Sequence, residues 1–99
     1  MSAHPNLPDG WQYDPYWQAA AYLLDGLGSR VWHHVTDTGI DYPGMLEEGW
    51  SGGQRRIIQA AASMWDGQPV SLLDLTAGLD DEHWRRFLLA LAMLRAGLT

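Results

Sequence analysis

The order of apolar residues predicts an all-α fold, a small bundle of about four helices. Three observations carry that expectation. Long stretches place apolar residues at i, i+3, i+4 and i+7, the stripe of a core-facing helix. Most of these stretches open on a capping residue and close on glycine or proline. No two segments read convincingly as strands that could pair, and an unpaired strand leaves its backbone hydrogen bonds unmet.

Taken in order, residues 1–10 hold Pro5, Asn6, Pro8, Asp9 and Gly10 and read as an extended N-terminal arm. Trp11 and Tyr13 are placed to pin it, and residues 11–99 follow as one helical domain. Asp14-Pro15 opens the first helix, with Asp14 as N-cap and Pro15 at the first helical position, where its missing N–H costs nothing. Trp17, Ala20, Leu24 and Leu27 form its inner stripe, with Tyr16 and Leu23 beside them, and Gly26 and Gly28 end it. Ser29 to Gly39 is ambiguous, since its β-branched and aromatic residues suit either a short helix or a strand. Helix is favoured because no partner strand is evident. Asp41-Tyr42-Pro43-Gly44 is a turn, and Met45 to Glu48 adds one helical turn.

Ser51 and Gln54 stand in the spacing of a capping box and start the next long helix, whose buried face is Ile57, Ile58, Ala61, Met64 and Trp65. Asp66-Gly67 ends it and Pro69 prevents continuation; the run Ala60-Ala61-Ala62 allows another helix close approach. Ser71 caps a short helix through Ala77 carrying Leu72, Leu73 and Leu75, which Gly78 breaks. Asp80 then caps the last helix, with Leu79 and Trp84 spaced as a hydrophobic staple and Gly97 as its stop. Its inner stripe reads Trp84, Phe87, Leu88, Leu91 and Leu94. Leu89 and Met93 fall nearly opposite, flanked by Arg85 and Arg86.

The composition narrows function. With 99 residues and a hydrophobic fraction of 46%, including six tryptophans, the chain can bury one modest core. Without cysteine there is no disulfide, thiolate metal site or cysteine nucleophile. A net charge of −6 argues against a default preference for nucleic acid or anionic membrane. No apolar run approaches the roughly 20 residues of a membrane span. The start, MSAHPNLPDG, lacks the basic and apolar segments of a signal peptide, so a cytoplasmic protein is expected.

Val70 to Leu89 resembles the helix-turn-helix family over about twenty residues. With Gly78 at the turn, Leu73, Ala77, Leu79, Trp84 and Phe87 take the positions that must be apolar for two helices to cross. Asp74 departs from the pattern, because a small residue usually stands there. Asp80, Asp81 and Glu82 depart from it more, because they occupy the turn that would meet phosphates, leaving only Arg85 and Arg86 for that role. Ser51-Gly52-Gly53-Gln54, Leu72-Leu73-Asp74 and Gly78-Leu79-Asp80 look like the signature, Walker B and D-loop order of ABC-type ATPases. However, Leu75 stands where the catalytic glutamate belongs, and no phosphate-binding GxxxxGK[ST] loop occurs. His33 and Asp37 lie four apart near His4, His34 and Asp41, without a recognised zinc spacing. Glu47 and Glu48 are adjacent and point apart, and no serine has a nucleophile context. No catalytic residue, metal site or cofactor is therefore expected.

Trp50-Ser51, Gly53-Gln54-Arg55 and then Gly78 to Asp81 give the C-terminal half a resemblance to short helical proteins of actinobacteria and their phages. It implies an actinobacterial or mobile-element origin and no activity. The leading expectation is a non-enzymatic protein-binding module that engages a partner or itself through Arg85, Arg86, Leu89 and Met93. The alternative is a helix-turn-helix regulator with Arg85 and Arg86 on phosphates.

Overall fold

A computed structural model describes residues 9–36 and 38–99. The helices are α1 (Pro15–Asp25), α2 (Tyr42–Leu46), α3 (Gly52–Asp66), α4 (Leu72–Gly78) and α5 (Asp81–Leu98). Short 3-10 turns cover Trp11–Tyr13 and Ser29–His34. The fold is mostly helical, as expected. Nearly all of the arm expected over residues 1–10 lies outside the described residues, and so does Asp37.

The caps form locally, as the sequence dictates. The Asp14 carboxylate accepts from the N–H groups of Tyr16 and Trp17. Ser51 and Gln54 close a full capping box, the Ser51 N–H donating to Gln54 Oε1 at 2.9 Å and the Gln54 N–H to Ser51 Oγ at 3.2 Å. Ser71 accepts from the Asp74 N–H and Asp80 from the His83 N–H. Gly67 ends α3 at φ 74°, the left-handed position that side-chain-bearing residues resist.

The core is built around α1, which packs extensively on both α3 and α5, far more than those two pack on each other. Ala19, Ala20, Ala21, Leu23 and Leu24 are all buried, so α1 meets a neighbour on more than one side. Opposite it, α3 buries Ile57, Ile58, Ala60, Ala61, Ala62 and Met64. Two alanine runs at a crossing let the helix axes approach closely, with little side-chain entropy lost. Trp65 stands edge-on to Trp17 at 5.4 Å and beside Tyr42 at 5.8 Å, closing the α1–α2–α3 corner.

Three elements differ from expectation. The stretch read as a turn at Asp41 to Gly44 followed by a helical turn at Met45 to Glu48 is instead the helix α2, which Asp41 caps by accepting from the Gly44 N–H and which ends at Leu46. Ser29 to Gly39 is neither one helix nor one strand. It forms the 3-10 turn and then β1 (Val35–Thr36), which pairs antiparallel with β2 (Gly39–Ile40), Val35 opposite Ile40. The partner strand is two residues long, too short for any period to appear in the sequence. Gly97 does not stop α5 either. It is helical and lies against Pro15 at the start of α1, where a Cβ would collide with the proline ring.

Tyr42 is buried, and its hydroxyl has no hydrogen-bond partner among the described residues. Burial pushes this hydroxyl well above the usual tyrosine range, and the Asp66 carboxylate adds to the shift. An unpaired buried hydroxyl loses hydration without compensation. Tyr42→Phe should therefore stabilise the protein by about 1 kcal/mol, raising the melting temperature by roughly 4–8 °C. A lower melting temperature would mean that the hydroxyl does find a partner.

Candidate protein-binding surface

The four residues singled out on α5 do not share one free face. Arg85 and Leu89 are exposed. Arg86 turns inward: its guanidinium carbon lies 4.1 Å from the Tyr22 ring centroid, and Nη2 donates to the Tyr22 carbonyl. Gly26 leaves room for it, since a Cβ there would meet the Arg86 side chain. Met93 is partly buried beside Trp11, Gln18, Ala21 and Tyr22, so α1 and the turn before it cover that side. For the nucleic-acid alternative, this leaves Arg85 as the exposed member of its two arginines, with the acidic Asp81 and Glu82 in the first turn of α5 just before it. The packing also departs from a helix-turn-helix. Leu79 and Asp80 do make the tight turn between α4 and α5, but Leu73 is 75% exposed and Ala77 is exposed, while Leu75 is the buried residue of α4.

The inner stripe of α5 is correspondingly displaced. Phe87 and Ala90 are fully buried, and Arg86, Met93 and Gly97 flank them toward α1. At about 100° per residue, this face is turned by roughly a quarter of the helix circumference from the leucine stripe of the sequence. Leu88 and Leu91, expected in the core, are instead 46% and 40% exposed, and Leu98 is 52% exposed. Trp84 is partly buried, tilted against Phe87 at 5.5 Å between ring centroids.

The displaced residues form a pattern. Asp81, Trp84, Leu88, Leu91, Arg95 and Leu98 follow each other at alternating steps of three and four, so they line one seam along the free side of α5. That spacing is the a/d repeat by which helices pair. At the C-terminal end, Leu91, Leu94, Arg95 and Leu98 border an open groove of about 460 Å³. These four stand at i, i+3, i+4 and i+7, the set that forms a hole for a side chain of a facing helix. The seam carries a charge gradient as well, with Asp81 and Glu82 in the first turn and Arg95 in the last.

Two other places are concave or polar. A groove beside Tyr42, Leu46, Gln59, Asp66 and Pro69 is larger, about 540 Å³, but the Tyr42 hydroxyl is buried and offers it no solvent-exposed polar group. The second is a polar cluster at the start of α3, where His34 Nε2 donates to Glu48 Oε2 and Arg30 lies over the Trp50 ring at 4.1 Å. Arg30 Nη2 also donates to the Gly49 carbonyl, and the Trp50 indole N–H to the Met45 carbonyl at 2.7 Å. These bonds tie one loop to the next. Among the described residues no three His, Asp or Glu side chains gather as metal ligands, and no helix is long and apolar enough to cross a membrane.

The hydrogen bond from His34 holds the Glu48 carboxyl below the usual glutamate range, with the charges of His34 and Arg30 adding to it. The His83 backbone N–H does the same for Asp80. A carboxyl whose pKa is depressed by folding stabilises the fold above its unfolded pKa. That contribution is lost as pH falls through the folded value. Glu48→Gln should therefore flatten the acid limb of melting temperature against pH, as pH falls below the ordinary glutamate range. Parallel curves for the two proteins would show that Glu48 contributes nothing there.

No protein-family model, curated protein or solved structure matches the chain.

Proposed function

We propose that the protein is a non-enzymatic helical module that binds another protein helix along the free side of α5. The observation that carries this reading is the exposed seam of Leu88, Leu91 and Leu98 at helix-pairing spacing. Such a seam is costly to leave in water, at roughly 25 cal/mol per Å² of apolar surface, and a facing helix removes that cost. Arg95 within the seam and Arg85 at its margin suit an interface, where arginine is common. The relevant face is therefore Leu88, Leu91, Arg95 and Leu98, with Arg85 and Leu89 at its edge. Arg86 and Met93 serve the contact with α1.

A photo-reactive amino acid placed at Leu88 or Leu91, in cells that make the protein, should give a discrete protein adduct. The same probe at exposed Thr38 should give none. If positions 88 and 91 label no more protein than position 38, the seam is not a binding surface.

A further inference from the structure

We infer that the helix docked on α5 is the α5 of a second copy, running antiparallel to the first. This rests on the reading of the seam as a binding surface, and it commits to the occupant. The charge order selects it. A parallel pair would set Asp81 and Glu82 against the same carboxylates, and Arg95 against Arg95. An antiparallel pair sets the acidic first turn of each helix beside Arg95 of the other and also opposes the two helix dipoles.

The layers of an antiparallel pair place each a position opposite a d position. With Leu88 facing the second copy's Leu91, Trp84 of each chain faces Arg95 of the other, and Asp81 faces Leu98. The leucines then meet each other and Trp84 meets Arg95, while Asp81 lies one helical turn from Arg95 of the second copy, within reach of its long side chain. The two leucine layers lie at the centre and the outer layers repeat by two-fold symmetry, as a self-complementary interface requires.

The groove bordered by Leu91, Leu94, Arg95 and Leu98 supports the same register. The middle of that hole lies between Leu94 and Arg95, which in this alignment is opposite Trp84 and Arg85 of the second copy. Trp84, partly buried against Phe87, is the large side chain at that level, and its accessible part would enter the hole with the Arg95 guanidinium against the indole, a favourable cation–π arrangement. The hole and the side chain that fills it thus lie at opposite ends of the same helix. An antiparallel pair of copies satisfies both at once.

The test is sedimentation equilibrium on the purified full chain, with circular dichroism as a check on folding. The expected result is a dimer of the 11.1 kDa chain. Leu88→Asp/Leu91→Asp should be monomeric with unchanged helicity. As a control for any effect of that double change on the fold, charge exchange provides a second route at exposed sites. Asp81→Arg and Arg95→Asp alone should each weaken the dimer by roughly tenfold, since each turns two symmetric attractions into repulsions. The combined variant, Asp81→Arg/Arg95→Asp, should return to within about threefold of the parent. A parent that stays monomeric at about 1 mM, far weaker than any specific dimer, overturns self-pairing. So does a combined variant no better than the two single ones. The photo-labelling at Leu88 and Leu91 separates the two readings. An adduct with a different protein, from a monomeric parent, keeps the binding surface and removes the second copy, whereas no adduct removes both.

Discussion

Shortening Leu24 to alanine will lower the stability of the protein by about 2–5 kcal/mol, the range for deleting a buried leucine whose surroundings collapse only partly. Leu24 has no solvent exposure and sits in α1, on which both α3 and α5 pack. A cavity there loosens two helix contacts at once. A domain of this size has only about 5–15 kcal/mol of stability in total. The melting temperature should fall by on the order of 10–30 °C. Leu72→Ala is the matched control: the side chain is the same, but it is largely exposed on α4. That change should stay within about 0.5 kcal/mol. Equal losses at the two positions would mean that α1 is not the centre of the core.

The contrast between Leu24 and Leu72 separates what the sequence states from what folding decides. The caps were legible because they are local. Asp14, Ser51 with Gln54, Ser71 and Asp80 each bond to backbone no more than three residues away, so residue type and spacing suffice. The buried faces of α1 and α3 were legible in the main, since Ala20, Leu24, Ile57, Ile58, Ala61 and Met64 recur at one helical period and are buried. Trp17, Leu27 and Trp65 are only partly buried, and Tyr16, expected beside the α1 stripe, is exposed. The hairpin of Val35–Thr36 and Gly39–Ile40 was not legible, because two residues per strand carry no period.

The candidate surface was only partly legible, for a different reason. In α5 leucine or methionine stands at 88, 89, 91, 93, 94 and 98, so apolar residues point in almost every direction and no stripe is unique. What fixes the rotation is size. Ala90 and Gly97 permit close contact with α1, and Gly97 meets Pro15 directly. Small residues score weakly in any hydrophobic pattern although they set the distance between helices. Arg85 and Arg86 are likewise indistinguishable in the sequence. Arg86 is claimed by Tyr22, 64 positions away, and only the packed chain brings the two together.

That rotation yields the sharpest reversal between pattern and packing, at two adjacent residues. By the leucine pattern Leu91 is core and Ala90 lies beside it. In the structure Ala90 has no exposure, whereas Leu91 is among the large exposed side chains. Ala90→Leu should therefore destabilise the monomer by about 1–3 kcal/mol, because three added carbons must be placed where α5 meets α1. Helix propensity cannot account for such a loss, since alanine and leucine are both strong formers within a few tenths of a kcal/mol. Leu91→Ala should leave the isolated fold within about 1 kcal/mol of the parent, as expected for a surface change, while weakening self-association. Because dimer formation adds to apparent stability by mass action, the unfolding curves belong in the dilute limit, checked at two protein concentrations. If instead Leu91→Ala costs 2 kcal/mol or more, on the scale of a buried leucine, and Ala90→Leu costs nothing, α5 is turned the other way. The seam proposed for binding would then be part of the core.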